Sequence, residues 1–266
     1  MSIITLLTDF GTKDEYVGLM KGVILSINPR AAIVDITHNI NSQDVVHAAL
    51  TIHSSYRYFP TGSVHLIVVD PGVGTERNVL ALEKKNHTFI APDNGVLTRL
   101  FDDADIAKLI RISNSDYFLS PVSHTFHGRD IIAPVGAHLS KGVGLSKLGS
   151  EMDLQEAVRL DNLQARLLKN GDIIGKIIAI DHFGNLISNV ETGQLAQYDQ
   201  TGPRSRLKIK IGSHVIDGLS KTYGDVRSDI PLALIGSRGY LEIAVNCGSA
   251  ARKLKIRQGD TVRVTI

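Results

Sequence analysis

The stretch SVHLIVVDPGVGTER (residues 63–77) joins an apolar run to a turn that begins with an acid and contains two glycines. The apolar run is typical of a strand buried on both faces, as in a parallel sheet. A glycine turn after such a strand suggests a phosphate site, which needs several backbone N–H groups and a following helix N-terminus. Pro71 removes one N–H, and the next segment, VLALEKK, has the pattern of a strand. The turn therefore does not fit a phosphate site.

Strand-like and helix-like segments alternate on both sides of this stretch. The predicted strands are IITLLT (3–8), AAIVDI (31–36), SVHLIVV (63–69) and a hairpin of VLALEKK and HTFIAP (79–92). The predicted helices are DEYVGLMKGVILSI (14–27) and SQDVVHAALTIHSSYRYF (42–59). Ser42 is the predicted N-cap of the second helix. The alternation predicts an α/β N-terminal domain with a mostly parallel sheet over residues 1–150.

The pattern changes after residue 150. Residues 151–170 are predicted to be a connector, and residues 171–266 a smaller, mainly β domain. Its predicted strands lie in IIGKIIAI, NLISNV, RLKIKIG, SHVIDG, PLALIG, LEIAV and TVRVTI.

Composition narrows the class of protein. The 266 residues are 43% hydrophobic and 21% charged, with a net charge of +2 and no basic run, so neither nucleic acid nor a membrane surface is an expected partner. The single cysteine, Cys247, excludes an intrachain disulfide and fits a reducing compartment. The N-terminus lacks the cationic region of a signal peptide, and no apolar run is long enough to span a bilayer. We therefore expect a cytoplasmic protein.

Two aspartates follow the first predicted strand. Ligands bind at the carboxyl ends of strands in open α/β sheets, and Asp9 lies there. Its carboxylate can accept hydrogen bonds from the two adjacent hydroxyls of a ribose. The alternative is that either residue caps the next helix, and we favour the cap for Asp14 and the ligand for Asp9.

The glycine turn of residues 70–77 has two possible roles. It can fold Arg77 back onto Asp70 to build a small charged site. Alternatively, it is an ordinary β-turn with a surface salt bridge. The spacing alone leaves both open.

The segment SHTFHGRDIIAPVGAHL (residues 123–139) carries polar residues before an apolar helix. They are His124, His127, Arg129 and Asp130. Gly128 beside His127 lets a ligand approach the backbone closely, which favours a site. The alternative is that these residues cap and solubilise the start of the helix.

Two turns in the C-terminal half carry further candidates. In AIDHFGNLISN, Asp181 ends a strand, and the Asn185 amide offers both the donor and the acceptor that a purine edge requires. In IGSRGYLEIAVN, Ser237 and Arg238 follow a strand, and the guanidinium can bind a carboxylate with two hydrogen bonds. The alternative in both cases is a plain hairpin tip.

Metal-binding motifs are missing from the sequence. It has no HExxH, no CxxC and no EF-hand loop. Asp9 and Asp14 are similar to the acidic start of calcium-dependent nucleoside hydrolases, but the denser run of aspartates expected there is absent. We predict no metal and no cofactor, with the nucleoside hydrolase as an alternative.

Taken together, six segments resemble one family, the S-adenosyl-L-methionine (SAM) hydrolases, also called SAM hydroxide adenosyltransferases. They are LLTDFGTKDEYVGLMKGV, VVDPGVGTER, APDNGVLT, TFHGRDIIAPVGAHL, DHFGNLISN and GSRGYLEIAVNCGSA. The resemblance runs from Ile4 to about Ala250. The family is related to fluorinating and chlorinating enzymes that attack the same substrate with halide.

The resemblance implies an α/β N-terminal domain, a barrel-like C-terminal domain and a homotrimer whose sites lie between subunits. It implies that water attacks the ribose C5′ of SAM to give adenosine and methionine. The implied catalytic set is Asp70, Arg77 and His127. The halogenating relatives lack the histidine of the HGRD segment and carry an extra loop, so His127 favours water as the nucleophile.

The resemblance also implies the substrate contacts. Asp9 would hold the ribose hydroxyls, Asn185 would read the adenine, and the backbone from Val245 to Cys247 would frame it. Asp181 and Ser237 would meet the methionine amine, Arg238 its carboxylate, and Tyr223 would pack on the nucleoside. Arginine does not lose its proton, so Arg77 cannot be the base, and the choice between Asp70 and His127 stays open. A halide-dependent halogenase and a non-catalytic SAM- or adenosine-binding protein remain alternatives.

Overall fold

The computed structural model describes residues 2–102, 105–161, 163–196 and 207–265. The chain divides into two compact units, Met1–Leu160 and Asp161–Ile266. Arg206 and Ile266, at the ends of two predicted strands, lie outside the described residues.

The N-terminal unit is built on a seven-stranded sheet. Its strands are β1 (Ile3–Thr8), β2 (Ala32–Thr37), β3 (Val64–Val68), β4 (Val79–Lys84), β5 (His87–Pro92), β6 (Ile106–Ile112) and β7 (Gly149–Glu151). They lie in the order β2-β1-β3-β5-β4-β6-β7. β2, β1, β3 and β5 pair in parallel, and the remaining pairings are antiparallel, so five of the seven strands run in one direction. The predicted α/β class and the hairpin of β4 and β5 are confirmed.

Helices cover both faces of this sheet. They are α1 (Tyr16–Ile27), α2 (Val45–Ser55), the short α3 (Thr98–Phe101) and α4 (Ala133–Ser140), which continues a π-helical turn at Gly128–Ile132. Successive residues of β3 pack into two separate cores: Leu66 packs with α1 and α4, and Ile67 packs with α2. This alternation is the period-two pattern of a strand buried on both faces.

The strand order creates a crevice. β1 has β2 on one side and β3 on the other. Helix α1, which connects β1 to β2, and helix α2, which connects β2 to β3, therefore pack on opposite faces of the sheet. The carboxyl ends of β1 and β3 are paired at Thr8 and Val68, directly before Asp9 and near Asp70. Open α/β sheets bind ligands at such a point.

Both predicted helix caps are wrong. Helix α1 begins at Tyr16 with Glu15, not Asp14, at the N-cap, and no side chain caps it. Helix α2 is capped by Asp44, whose carboxylate accepts the N–H of His47 at 2.9 Å. Ser42 lies outside this helix because Gln43 adopts a left-handed conformation (φ 66°), which helical residues do not.

The C-terminal unit is a nearly closed antiparallel barrel, as predicted. Its strands are β8 (Arg166–Leu167), β9 (Ile173–Ile180), β10 (Leu186–Glu191), β11 (Lys208–Ile211), β12 (His214–Asp217), β13 (Pro231–Ile235), β14 (Tyr240–Val245) and β15 (Thr261–Thr265). The order is β12-β11-β15-β9-β10-β14-β13, β8 pairs with β9, and the end strands β12 and β13 contact each other. Helices α5 (Thr192–Leu195) and α6 (Ala250–Leu254) are short. One apolar core fills the interior, and a smaller cluster of Leu232, Leu234 and Ala244 packs separately from it.

Short 3-10 helices lie at Tyr56–Tyr58, Ser115–Tyr117, Leu145–Lys147 and Tyr223–Asp225. No helix among the described residues is long and apolar enough to cross a bilayer.

Candidate active site

A cavity of about 380 Å³ opens at the carboxyl ends of β1 and β3. Three predicted residues line it: Asp9, Asp70 and His127. The rest of its wall comes from Phe10, Tyr16, Ser42, Gln43, Val68, Pro71, Val73, Thr125, Phe126 and Gly128. Phe10, Tyr16 and Phe126 contact one another edge to face or tilted, which makes one wall aromatic.

Asp70 and Arg77 form a two-pronged ion pair. Arg77 Nε donates to Asp70 Oδ1 at 2.7 Å, and Nη2 donates to Oδ2. The side chains are only 9% (Arg77) and 5% (Asp70) exposed. The two side chains are therefore largely shielded from water, with Asp70 in the cavity wall, unlike the surface salt bridge that the spacing also allowed.

Gly74 explains how the loop reaches this position. Its φ of 79° lies in the left-handed region, where residues with a Cβ are strained. A Cβ at Gly74 would lie 2.1 Å from the backbone carbonyl oxygen of His124, so the loop can pack against the segment before His127 only through glycine. This packing brings residues 50 positions apart into one cluster.

His127 joins the pair through Arg77. Its Nδ1 lies 3.1 Å from Arg77 Nη2. Because a guanidinium only donates, Nδ1 must accept, and the proton of the neutral ring is then on Nε2. Burial lowers the pKa of His127 and the charge of Arg77 lowers it further, whereas Asp70 and Asp130 oppose the shift. The imidazole is therefore neutral at pH 7.

Asp9 is held by the backbone that follows β2. Its Oδ2 accepts the N–H of Gln43 at 2.8 Å. The left-handed conformation of Gln43 keeps this residue and Ser42 out of helix α2. One carboxylate oxygen thus has a fixed partner, and the carboxylate retains lone pairs for a ligand hydroxyl.

A second cavity, of about 670 Å³, lies on the C-terminal barrel at the β9–β10 and β13–β14 turns. It is lined by all six residues predicted from this half: Asp181, Asn185, Tyr223, Ser237, Arg238 and Val245. Phe183, Ile187, Gly236, Tyr240, Glu242, Cys247 and Gly248 complete it. Phe183 is 75% exposed there, which leaves a ring face open for stacking.

Asp181 orients Asn185. One Asp181 oxygen accepts the N–H groups of Phe183 (2.9 Å) and Asn185 (2.8 Å), and the other accepts the Asn185 side-chain amide at 3.0 Å. The Asn185 amide therefore keeps its oxygen and one N–H for a ligand. Gly184 permits this turn with a φ of 86°.

Glu242 is a residue that the sequence reasoning missed. It is 6% exposed on β14, and its Oε1 accepts the Tyr223 hydroxyl at 2.6 Å. Burial raises the pKa of Glu242, and burial with this hydrogen bond raises the pKa of Tyr223 to about 12. The signal was a lone acid inside the apolar run LEIAV. With Asp181 and Arg238, the cavity offers two carboxylates and one guanidinium, which suits a ligand carrying both charges.

Within residues 2–102, 105–161, 163–196 and 207–265, no three His, Cys, Asp or Glu side chains are grouped so that they could hold a metal ion.

Comparisons with known proteins identify the family of the chain. Residues 4–149 match the family described as SAM hydroxide adenosyltransferase N-terminal domain, and residues 175–263 match its C-terminal domain. The chain is 35% identical to a protein of Methanocaldococcus jannaschii named (R)-S-adenosyl-L-methionine hydrolase, over 99% of this chain and 96% of that one.

Two further relatives extend the comparison. A fluorinase of Actinopolyspora mzabensis is 30% identical over 99% of this chain and 97% of its own. That alignment runs over 295 positions, which exceeds the 266 residues here, so the fluorinase carries inserted residues. The crystal structure of an uncharacterized conserved protein from Thermotoga maritima superposes with a TM-score of 0.91 at 36% identity, over 99% of this chain and all of that one.

Proposed function

The chain belongs to the SAM hydroxide adenosyltransferase family, and from this premise we propose that it hydrolyses S-adenosyl-L-methionine to adenosine and L-methionine. The relatives at 34 to 35% identity are named for the (R) epimer at sulfur, and we extend that preference to this chain. The observation that carries the proposal is the contact of Arg77 with both Asp70 and His127 beside the N-terminal cavity.

The proposed step is a displacement at the ribose C5′. A water oxygen bonds to C5′ as the C5′–S bond breaks, and the electron pair stays on sulfur. The sulfonium thereby becomes the neutral thioether of methionine, so the leaving group needs no general acid. The nucleophile is the weak partner, and one proton must leave the water.

Asp70 is the better candidate to accept that proton. Arg77 cannot accept it, and it already occupies His127 Nδ1 with one of its N–H groups. The two prongs from Arg77 use two of about four lone-pair positions on the Asp70 carboxylate, so two remain for the water. His127 then presents its Nε2–H to hold the water oxygen, and Arg77 supplies positive charge that favours its hydroxide character. General-base assistance of this kind contributes about 10²–10⁴-fold.

The remaining polar residues are proposed to bind the substrate. Asp9 holds the ribose hydroxyls with its free lone pairs, and Asn185, oriented by Asp181, reads the adenine edge. The backbone at Val245 frames the base, and Tyr223 packs on the nucleoside.

Charged groups of the second cavity are proposed to bind the methionine part. Arg238 binds its carboxylate, and Ser237 with Asp181 binds its amine. Glu242 adds a second negative charge for a substrate that is cationic at sulfur and at the amine.

We further propose a cytoplasmic homotrimer with sites shared between neighbouring subunits, which the family resemblance supports. Light scattering should then give three times the 28.9 kDa chain mass. A mass of one chain would contradict the shared site.

Incubation with each SAM epimer, followed by chromatography, tests the activity. Adenosine and methionine in equal amounts are expected, faster from the (R) epimer and without added metal. Formation of 5′-halo-adenosine with added halide would favour the halogenase alternative, and unchanged substrate would favour a binding protein. Loss of adenosine formation in EDTA would favour metal-dependent hydrolysis.

A further inference from the structure

Asp130 is a buried acid three residues after His127. It is 1% exposed and lies in the π-helical turn that leads into α4. Arg129 donates Nε to its Oδ1 at 2.6 Å and Nη2 to its Oδ2 at 3.0 Å. A buried carboxylate needs such partners. The Asp130 carboxylate also accepts a hydrogen bond from the backbone of a loop.

The loop in question is the segment of residues 119–127. The Asp130 side chain accepts the N–H of Ser123 at 2.8 Å, and its backbone carbonyl accepts the N–H of Leu119 at 2.9 Å. Asp130 therefore fastens this segment at two points. In addition, the Arg129 guanidinium lies 5.1 Å from the ring of Phe126, directly before His127.

The same segment also packs against the loop of residues 70–77. The backbone carbonyl of His124 lies against Gly74, between Asp70 and Arg77 in the chain. A shift of residues 119–127 would thus move both His127 and the surface that supports the Asp70–Arg77 loop.

We propose that Asp130 is a positioning residue for the proposed reaction, fixing the segment 119–127 so that His127 stays against Arg77. The inference rests on the proposed function, because it assigns that contact a role in catalysis.

The negative charge of Asp130 also acts on the pKa of His127. The ionisable groups that act on His127 are Arg77 and His124, which lower its pKa, and Asp70 and Asp130, which raise it. Removing the negative charge of Asp130 should therefore lower the pKa of His127 further. A release of His127 from Arg77 acts in the opposite direction, because the charge of Arg77 lowers that pKa. The pKa of His127 should therefore be higher in a variant that frees the segment than in one that only removes the charge of Asp130.

The test compares Asp130→Ala with Asp130→Asn. The alanine variant frees Ser123 and Arg129, and a misplacement of about 1 Å can cost about 10²-fold, so we expect kcat to fall by that order with KM within about twofold. The asparagine variant keeps an oxygen for the Ser123 N–H and should recover part of the loss. Asp116→Asn, an exposed acid in the same unit, is the matched control.

Histidine-ring NMR gives the readout that does not depend on turnover. The His127 signal is identified by its absence in His127→Asn. Its titration midpoint should fall in Asp130→Asn, lie higher in Asp130→Ala than in Asp130→Asn, and stay unchanged in Asp116→Asn. Wild-type kcat in Asp130→Ala, a raised KM with unchanged kcat, or equal titration midpoints of His127 in the two Asp130 variants would each overturn the inference. If the wild type forms no adenosine, the proposed function fails, and the titrations decide only whether Asp130 holds His127 against Arg77. If Asp130→Ala does not fold, Asp130→Val, which also lacks an acceptor for the Ser123 N–H, takes its place in both comparisons.

Discussion

Replacing Arg77 with Met tests whether the Asp70–Arg77 pair is a buried element of the site. The side chains are 9% and 5% exposed, so the substitution leaves a carboxylate in the cavity wall without its countercharge. Breaking a buried pair by removing one partner costs about 3–5 kcal/mol, whereas an exposed pair contributes about 0–1 kcal/mol. We expect the free energy of unfolding of the N-terminal unit to fall by about 3 kcal/mol.

A double-mutant cycle with Asp70→Asn separates the pair from the individual residues. Asn removes the charge and keeps the shape, so Arg77→Met should cost much less in the Asp70→Asn background. We expect a coupling of about 2 kcal/mol between the two positions. Each variant should also form adenosine far more slowly, because the charge beside the attacking water is lost.

Urea unfolding followed by circular dichroism at 222 nm is the assay for stability. The helices of eight or more residues among the described part of the chain are α1, α2 and α4, all in the N-terminal unit, so the helical signal reports that unit. Additive effects, with Arg77→Met costing under about 1 kcal/mol, would refute the buried pair and favour the solvent-screened alternative. Wild-type turnover in Arg77→Met would refute its catalytic role.

Three further predictions follow from the same contacts. Because the pKa of His127 is lowered from 6.5, kcat/KM should fall on the acid side with a midpoint below pH 6.5, since the protonated ring can no longer accept from Arg77; an acid limb centred at or above 6.5 would contradict this. Glu242→Gln keeps an oxygen for the Tyr223 hydroxyl but loses the charge, so KM for SAM should rise about tenfold at unchanged kcat, and an unchanged KM would exclude that role. Gly74→Ala should lower both the stability of the N-terminal unit and the rate of adenosine formation, whereas Gly142→Ala, at φ 95° with open space around it, should leave the rate unchanged.

The fold was largely predictable because its strands have strong local signals. Apolar runs such as IITLLT and HTFIAP were recognised with bounds that agree with β1 and β5. Strand β6 was missed, since Lys108 and Arg111 interrupt its apolar pattern and its pairing with β4 is a long-range contact. Local propensity cannot identify a strand that depends on its partner.

The wrong cap at Ser42 shows how a tertiary contact overrides local preference. A serine before an apolar periodic segment is a sound N-cap signal. Here Gln43 takes a left-handed conformation and donates its N–H to Asp9, so the residues around Ser42 line the cavity and helix α2 begins two residues later than a Ser42 cap would place it. Local rules are expected to fail at functional sites.

The spacing of residues in the sequence could not predict how far the Asp70 and Arg77 side chains are buried. Seven residues separate Asp70 from Arg77, which predicts that they can meet but not whether water screens them. The answer depends on residues 124–127, which are some 50 positions away and reach the loop only because Gly74 has no side chain. Glu242 illustrates the same limit. A lone acid in a strand is expected to be solvated, and the sequence does not show that its carboxylate accepts the Tyr223 hydroxyl.

The proposed reaction divides the chemistry between the two cavities in a way that kinetics can resolve. In the proposal, groups at the N-terminal cavity act on the attacking water, and their interactions change as its oxygen bonds to C5′ and its proton leaves. Groups of the C-terminal cavity are proposed to recognise parts of the substrate that do not change their bonding, apart from the sulfur. Interactions that are equal in the ground and transition states raise KM when lost, and interactions specific to the transition state lower kcat. Variants at Asp70, Arg77 and His127 should therefore act on kcat, and variants at Asn185 and Arg238 mainly on KM, so a kcat effect confined to the C-terminal cavity would contradict this division of roles.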